Sequence, residues 1–222
     1  MNTNKIHHTG AVRRWHLLPL LLFACVLLAA CSESDDEEGE FDNWQERNET
    51  YFADIYATAR QAIAGGDNSW KILPNYSLED TAATDADDFI VVHVEQAGIG
   101  SGCPLFTDSV LVDYQGRLIP TKSFPKGYVF DQSWYGDNFI EAAARPSHLY
   151  VGGVVDGFCT ALQHMHIGDR WTVYMPYTLG YGVNGNGTAN INGYSTLVFD
   201  IRLRAYYRAG THMPTNQAKP SL

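Results

Sequence analysis

The chain has 222 residues, with 15 Lys and Arg against 25 Asp and Glu, a formal charge of −10, and 45% hydrophobic residues. That length and apolar content suffice for one compact domain with appendages. The acidic balance lacks the basic footprint that binding to nucleic acid requires, so no nucleic-acid partner is expected.

Lys5, Arg13 and Arg14 precede an apolar run from Leu17 to Ala30. A basic start, a short apolar run and small residues before a cut site read as a secretory signal over residues 1–30. The run is too short for a membrane span. Leu28-Ala29-Ala30-Cys31 resembles the bacterial lipobox, which implies lipidation of Cys31 and an envelope location in a Gram-negative bacterium, at the outer membrane. An ordinary signal peptide and an uncut membrane anchor are the alternatives. Loss of 1–30 would leave 12 basic against 25 acidic residues, a charge of −13. Residues 31–40 follow as an acidic tether, too charged to bury anything. Its composition resembles the segment that marks surface-exported lipoproteins, and a plain spacer has the same composition.

Residues 41–66 place Trp44, Tyr51, Phe52, Ile55, Tyr56, Ala59 and Ile63 near a period of 3.6, which predicts a helix stopped by Gly65-Gly66. Packing on the main domain is the expected use of its apolar face, with self-association as the other. Residues 67–88 read as a turn-rich, acidic linker. From Phe89 the pattern turns to strands: Ile90, Val92 and Val94 alternate with Val91, His93 and Glu95, and Ser109 to Tyr114 puts Val110, Val112 and Tyr114 on one face. Leu197, Phe199, Ile201 and Leu203 alternate with Asp200, Arg202 and Arg204 in the clearest strand of all. Residues 89–207 therefore form the main domain, and 208–222 a loose tail rich in Pro, Thr and Asn.

Inside that domain, Val151 to Gly182 compresses a helix, a turn, a strand and a Gly/Tyr-rich loop into about thirty residues. Asp156 is placed to cap the helix. Phe158, Ala161, Leu162 and Met165 share its buried face, and Gly168 stops it. Trp171, Val173 and Met175 alternate outward from there to Pro176, which offers no ladder N–H. A short helix laid on alternating strands is an α+β signal. Cys103 and Cys159 are the cysteines outside the leader and its cut site. Cys159 reads as a small buried apolar residue, with a disulfide to Cys103 as the alternative. No cofactor motif or zinc spacing is present. His164 and His166 are two apart, do not share a helix face, and read as an exposed pair, so no metal is expected.

Seven fragments in order carry a resemblance: Gly100-x-Gly102-x-Pro104, Val110-x-Val112-x-Tyr114-x-Gly116-x-Leu118, Phe130-Asp131-x-Ser133, Val154-Val155-x-Gly157-Phe158, Met165-x-x-Gly168, Tyr181-Gly182 and Thr196-Leu197-Val198-Phe199-Asp200. Together, over residues 89–206, the chain resembles the FKBP-type peptidyl-prolyl isomerases. The resemblance implies a curved antiparallel sheet of five or six strands wrapped around one short helix, with the helical segment as an N-terminal extension. It also implies a pocket lined by Tyr114, Phe130, Asp131, Val154, Val155, Phe158, Tyr181 and Phe199, with Ile191 on a flap above it. Departures from the family pattern are Phe158 for a tryptophan, Ser147 at an aromatic wall position, Asn192-Gly193 for Pro-Pro in the flap, and an insertion over Ile119 to Gly127. They imply a shallower pocket and a mobile flap from Gly182 to Gly193.

The function implied is isomerisation of X-Pro bonds in unfolded envelope or surface proteins, with no cofactor. Val154, Val155, Phe158 and Phe199 would form the proline slot. Tyr181 would donate to a substrate carbonyl, and Asp131 with Tyr114 would orient the amide or the flap. A non-catalytic peptide-binding module and a scaffold of a surface assembly are the competing readings, since a fold alone does not set activity.

Overall fold

Strand β7 (Leu197–Tyr207) is the backbone of the molecule, and its alternation is as regular in space as in sequence: Leu197, Phe199, Ile201 and Leu203 are all buried. In the computed structural model, which describes residues 39–78 and 82–211, six further strands surround it. These are β1 (Trp70–Pro74), β2 (Phe89–Gln96), β3 (Ser109–Arg117), β4 (Val129–Gln132), β5 (Ser147–Tyr150) and β6 (Arg170–Met175). Every pairing is antiparallel, in the order β1-β2-β6-β7-β3-β4, and β5 shares the far edge of β3 with β4. The signal sequence, Cys31, residues 31–38 of the tether and the end of the tail lie outside the described residues. Among those described, no helix is long and apolar enough to cross a membrane.

The seven strands exceed the five or six expected, and the difference has a local source. Residues 67–88, read as a linker, contain β1, which pairs with β2 from Trp70↔His93 to Pro74↔Phe89. Its five residues end in proline, a residue tolerated at a sheet edge, and show no clean alternation because both faces are half covered. The segment after β1 is also fastened down. Thr160 accepts from the Tyr76 N–H at 3.1 Å, and the Asn75 N–H donates to the Asp88 carbonyl at 2.8 Å.

Two helices take opposite faces of the sheet. Helix α1 (Trp44–Ala64) runs close to its expected bounds and covers the outer face, with Phe52 and Ala59 packed around Val91 and flanked by Trp70, Ile72 and Tyr174. This is why Ile90, Val91 and Val92 are all inaccessible: β2 is covered on both faces, where its sequence alternation predicts one. Ile63, expected on the apolar face, is exposed at the overhanging end. Asn48, fully buried, ties α1 to the start of β7: its Nδ2 donates to the Trp44 carbonyl at 2.7 Å and its Oδ1 accepts the Thr196 N–H at 2.8 Å. The Trp44 indole donates to Ser195 Oγ at 3.0 Å.

Helix α2 (Asp156–His164) lies on the inner face, and Phe158, Ala161, Leu162 and Met165 enter the core as expected. Two details differ from expectation. The N-cap is Val155, and Asp156 is the first helical residue, with no side-chain capping bond. Its charge suits the positive end of the helix dipole without serving as a cap. The helix ends at His164, ahead of Gly168, which adopts φ +95° in the turn into β6. That turn is held by the buried Asp169 carboxylate, which accepts the Gly98 and His166 N–H groups at 2.6 Å each. Gly157 sets how closely α2 approaches the sheet, since a Cβ there would lie 2.8 Å from the Met175 side chain. Cys103 and Cys159 are both free, and Cys159 is buried in the core. The two histidines turn to different partners, His164 Nδ1 to the Thr160 carbonyl at 2.8 Å and His166 Nδ1 toward Asp169 at 3.6 Å.

The far side of the sheet beyond α1 is polar. Arg204 pairs with the fully buried Asp113 and with Glu141 at 2.9 Å, Arg170 with Asp200 at 2.7 Å, and the Phe139 ring lies 3.8 Å under the Arg202 guanidinium. The tail begins later than position 208, because Arg208 pairs with buried Asp108 beside the Cys103 carbonyl.

Candidate active site

Between α2 and the inner face of β3 and β7 opens a cavity of about 410 Å³ lined by Tyr114, Asp131, Leu149, Gly153, Val154, Val155, Phe158, Tyr181 and Phe199. The elements deliver these residues from five separate parts of the chain. Strand alternation points Tyr114 and Phe199 inward from β3 and β7. Val154 and Val155 come from the extended residues that lead into α2, and Phe158 from its first turn. Tyr181 follows the short 3₁₀ turn at Tyr177–Leu179, after Pro176 has ended β6.

The floor is aromatic and edge-packed. Phe158 meets Phe199 at 5.0 Å and 86°, and Tyr114 at 5.8 Å and 83°. Such T-shaped pairs set the positive edge of one ring on the negative face of the next. Phe130 stands behind this floor, edge-on to Phe199 at 5.4 Å, and supports the ring from β4 without lining the cavity. Gly116 makes that possible: a Cβ there would lie 2.6 Å from atoms of both Phe130 and Phe199.

Polar groups are few and concentrated on one wall. The Tyr114 hydroxyl donates to Asp131 Oδ2 at 2.7 Å, and Asp131 Oδ1 accepts the Gln132 N–H at 2.8 Å. Burial, reinforced by donation to the carboxylate, pushes the Tyr114 phenol well above its ordinary range, so it stays a neutral donor across physiological pH. Among the described residues the Tyr181 hydroxyl has no hydrogen-bond partner, which leaves it available to a ligand in the cavity.

Seven of the eight expected pocket residues thus converge, with Phe130 displaced to the layer behind. Ile191 departs further. It is buried in the main core, and its backbone forms a two-way bridge with Asn186 at 2.7 and 2.9 Å. The loop from Gly182 to Gly193 is pinned by that bridge, by Asn186 Oδ1 accepting the Thr188 and Ala189 N–H groups, and by the Tyr194 N–H donating to Gly182. It is a self-bonded loop rather than an apolar flap. Leu149 and Gly153 were not singled out from the sequence. Ser147 and Leu149 share one face of β5, and the wall of the cavity is made by Leu149, two residues beyond the position assigned to it.

The fold and this slot define a class of protein, a small sheet-and-helix domain with an apolar, aromatic-floored cleft and sparse hydrogen-bonding groups. Residues 104–204, a little under half of the chain, match a protein-family model described as FKBP-type peptidyl-prolyl cis-trans isomerase. The chain is similar to a macrophage infectivity potentiator of Trypanosoma cruzi, 38% identical over 48% of this chain and 47% of that protein. It is also similar to an FKBP-type 22 kDa peptidyl-prolyl cis-trans isomerase of Escherichia coli, 39% identical over 45% of this chain and 42% of that protein. The outer membrane protein MIP of Legionella longbeachae is 35% identical over 51% of this chain and 42% of its own length. The matched segment is thus under half the length of these relatives. A solved peptidyl-prolyl cis-trans isomerase from Pseudomonas syringae pv. tomato superposes with a TM-score of 0.47 at 27% identity, over 70% of this chain and 96% of that one.

Proposed function

We propose that the chain is a peptidyl-prolyl cis-trans isomerase, held at an envelope membrane through lipidated Cys31, that assists folding of envelope or surface proteins. The observation that carries the isomerase reading is the convergence of an apolar slot with a free phenol donor. Val154, Val155, Phe158 and Phe199 enclose the slot, and the Tyr181 hydroxyl and the Tyr114–Asp131 pair stand at its wall.

Amide resonance sets a rotational barrier of about 18–20 kcal/mol. The two X-Pro isomers are nearly balanced in energy but exchange only over roughly tens to hundreds of seconds. A twisted amide has lost resonance, and its carbonyl and nitrogen are less polar than in the planar ground state. A site that strips water from the amide therefore binds the twisted form better than the planar one, and that difference is the catalysis. In this chain the valines and phenylalanines receive the prolyl ring and exclude water. Tyr181 donates to a substrate carbonyl, fixing the peptide while the bond turns. Asp131 holds the Tyr114 phenol in place and takes no proton.

Tyr181→Phe removes that donor and nothing from the core. We expect the isomerisation rate constant kcat/KM for a short X-Pro peptide to fall about tenfold, consistent with one hydrogen bond of roughly 1–1.5 kcal/mol. Exchange measured by NMR line shapes on the full-length chain tests this. Undiminished catalysis would remove Tyr181 from the mechanism. Binding of the peptide with no acceleration by wild type would instead favour the binding-module reading, which the loss of an aromatic wall at Ser147 and Leu149 motivates.

Anchoring rests on the leader and Leu28-Ala29-Ala30-Cys31, with support from the Legionella relative named as an outer membrane protein. Cys31→Ser should abolish incorporation of labelled fatty acid and shift the protein from the membrane to the soluble fraction of cells. Unchanged labelling would rule out lipidation at Cys31.

A further inference from the structure

Outside the slot, the exposed large apolar side chains are not scattered evenly. Phe106 and Tyr150 are 40% and 49% exposed, and their rings meet edge-on at 6.3 Å. Tyr76 also stacks on Phe106, at 5.4 Å and 28°. Three rings from three distant parts of the chain thus form one continuous ledge, with Leu105, 54% exposed, beside it in sequence. Isolated surface rings need no explanation, but a contiguous exposed set marks a binding surface.

The ledge adjoins the cavity through Gly152 and Gly153. Gly153 lines the cavity, and a Cβ placed on it would touch the Tyr150 ring at 3.3 Å. A Cβ on Gly152 would run into the Phe106 ring at 2.6 Å. Neither glycine has a positive φ, so the constraint here is contact rather than backbone strain. The absence of two side chains lets Phe106 and Tyr150 lie against the backbone at the edge of the slot.

Resting on the isomerase reading and extending it to substrate choice, we propose that Tyr150 and Phe106, backed by Tyr76, form a second subsite. It holds an aromatic or large aliphatic side chain of the substrate polypeptide near the proline, so the preferred substrates are apolar stretches of unfolded proteins. Gly153 lines the cavity and abuts the Tyr150 ring, so the ledge begins where the slot ends. Side chains on one face of an extended peptide recur about every 7 Å, which places the occupant two positions from a proline seated in the slot. Tyr, Phe and Leu supply a ligand-facing surface with few rotamers to freeze, and the sparse polar groups favour apolar side chains over charged ones.

The test compares matched proline hexapeptides carrying Phe or Ala two residues to either side of the proline, with the full-length chain and its Phe106→Ala/Tyr150→Ala double variant. Calorimetry measures Kd, and NMR exchange measures turnover. For wild type, the tighter of the two Phe peptides should bind about tenfold more strongly than the Ala peptide, as expected for covering roughly half of a phenyl ring. The double variant should bind both within about twofold while turning over the Ala peptide at the wild-type rate. Equal binding of Phe and Ala peptides by wild type overturns the subsite, and so does a preference that survives in the double variant. A loss of turnover on the Ala peptide in that variant would assign the rings to slot architecture and overturn it as well. A Phe preference in wild type without accelerated exchange would leave the subsite standing and bring down the isomerase reading alone.

Discussion

Phe158→Ala is expected to reduce isomerisation to within a few-fold of the uncatalysed rate and to lower stability by about 3–5 kcal/mol. Both effects come from one ring. Phe158 is 3% exposed and packs edge-on to Tyr114 and Phe199, so its removal deletes the cavity floor and two aromatic contacts together. The neighbours have little freedom to refill the space. Phe199 is wedged against Phe130 across the gap left by Gly116, and Tyr114 is tethered to Asp131. Water entering the enlarged slot would hydrate the planar amide and erase the advantage of the twisted one. Phe158→Leu separates the two effects, because it keeps most of the apolar volume and loses the flat floor. Its stability should fall much less than that of the alanine variant, with catalysis still reduced more than tenfold. Urea unfolding and peptide exchange on the same samples measure both quantities. A folded Phe158→Ala protein with wild-type turnover would show that the ring is core and not floor.

The other large effect is expected far from the slot, at Arg204. Asp113 is fully buried on the outer face of β3, and Arg204 is the cation that meets its carboxylate. Burial raises the Asp113 carboxyl above the ordinary range, while the Arg204 hydrogen bond and charge pull it back down. Arg204→Met removes the hydrogen bond and most of the downward pull, leaving the buried carboxylate only the weaker attraction of Arg202, a loss of about 3–5 kcal/mol at neutral pH. The sign with pH follows from linkage. A carboxyl whose folded pKa is raised contributes stability that is complete below its unfolded pKa of about 4 and is lost as pH rises through the folded value. The variant, with a still higher folded pKa, begins to lose stability at the same pH but goes on losing it to higher pH, so its total loss at neutral pH is larger. Its melting temperature should therefore trail wild type most at neutral pH and approach it as the pH falls toward 4. A gap independent of pH would assign the loss to packing of the long Arg204 side chain. Peptide turnover in the folded fraction should be unchanged, since Asp113 and Arg204 face away from the slot.

Much of the domain was legible as pattern. The period-2 alternation of β6 and β7 and the 3.6 spacing of Phe158, Ala161, Leu162 and Met165 all proved to be core faces. Such periodicities survive because each strand or helix exposes one side to a single apolar environment. Seven of the eight pocket residues were reached through motif order, since each motif carries its own local geometry into the slot. Phe130 was misplaced by one layer because its inward direction was right while its depth depended on Gly116 across the sheet.

Other features had no local signal to find. β1 is a five-residue edge strand ending in proline, and its pairing with β2 is made by backbone groups that composition does not report. Val91 looked solvent-facing until α1 covered it, a contact between segments about forty residues apart. Ile191 sits in the core because Asn186 and Ile191 exchange backbone hydrogen bonds and fold the loop back on itself, against the expectation of a flap. Local periodicity and ordered motifs were thus sufficient for the element types, the inner core and most of the side chains that line the slot, because those follow from side chains acting within one element. The sheet edge, the second covered face, the depth of each ring and the aromatic ledge beside the slot depended on long-range packing, where residues meet only after the chain has folded.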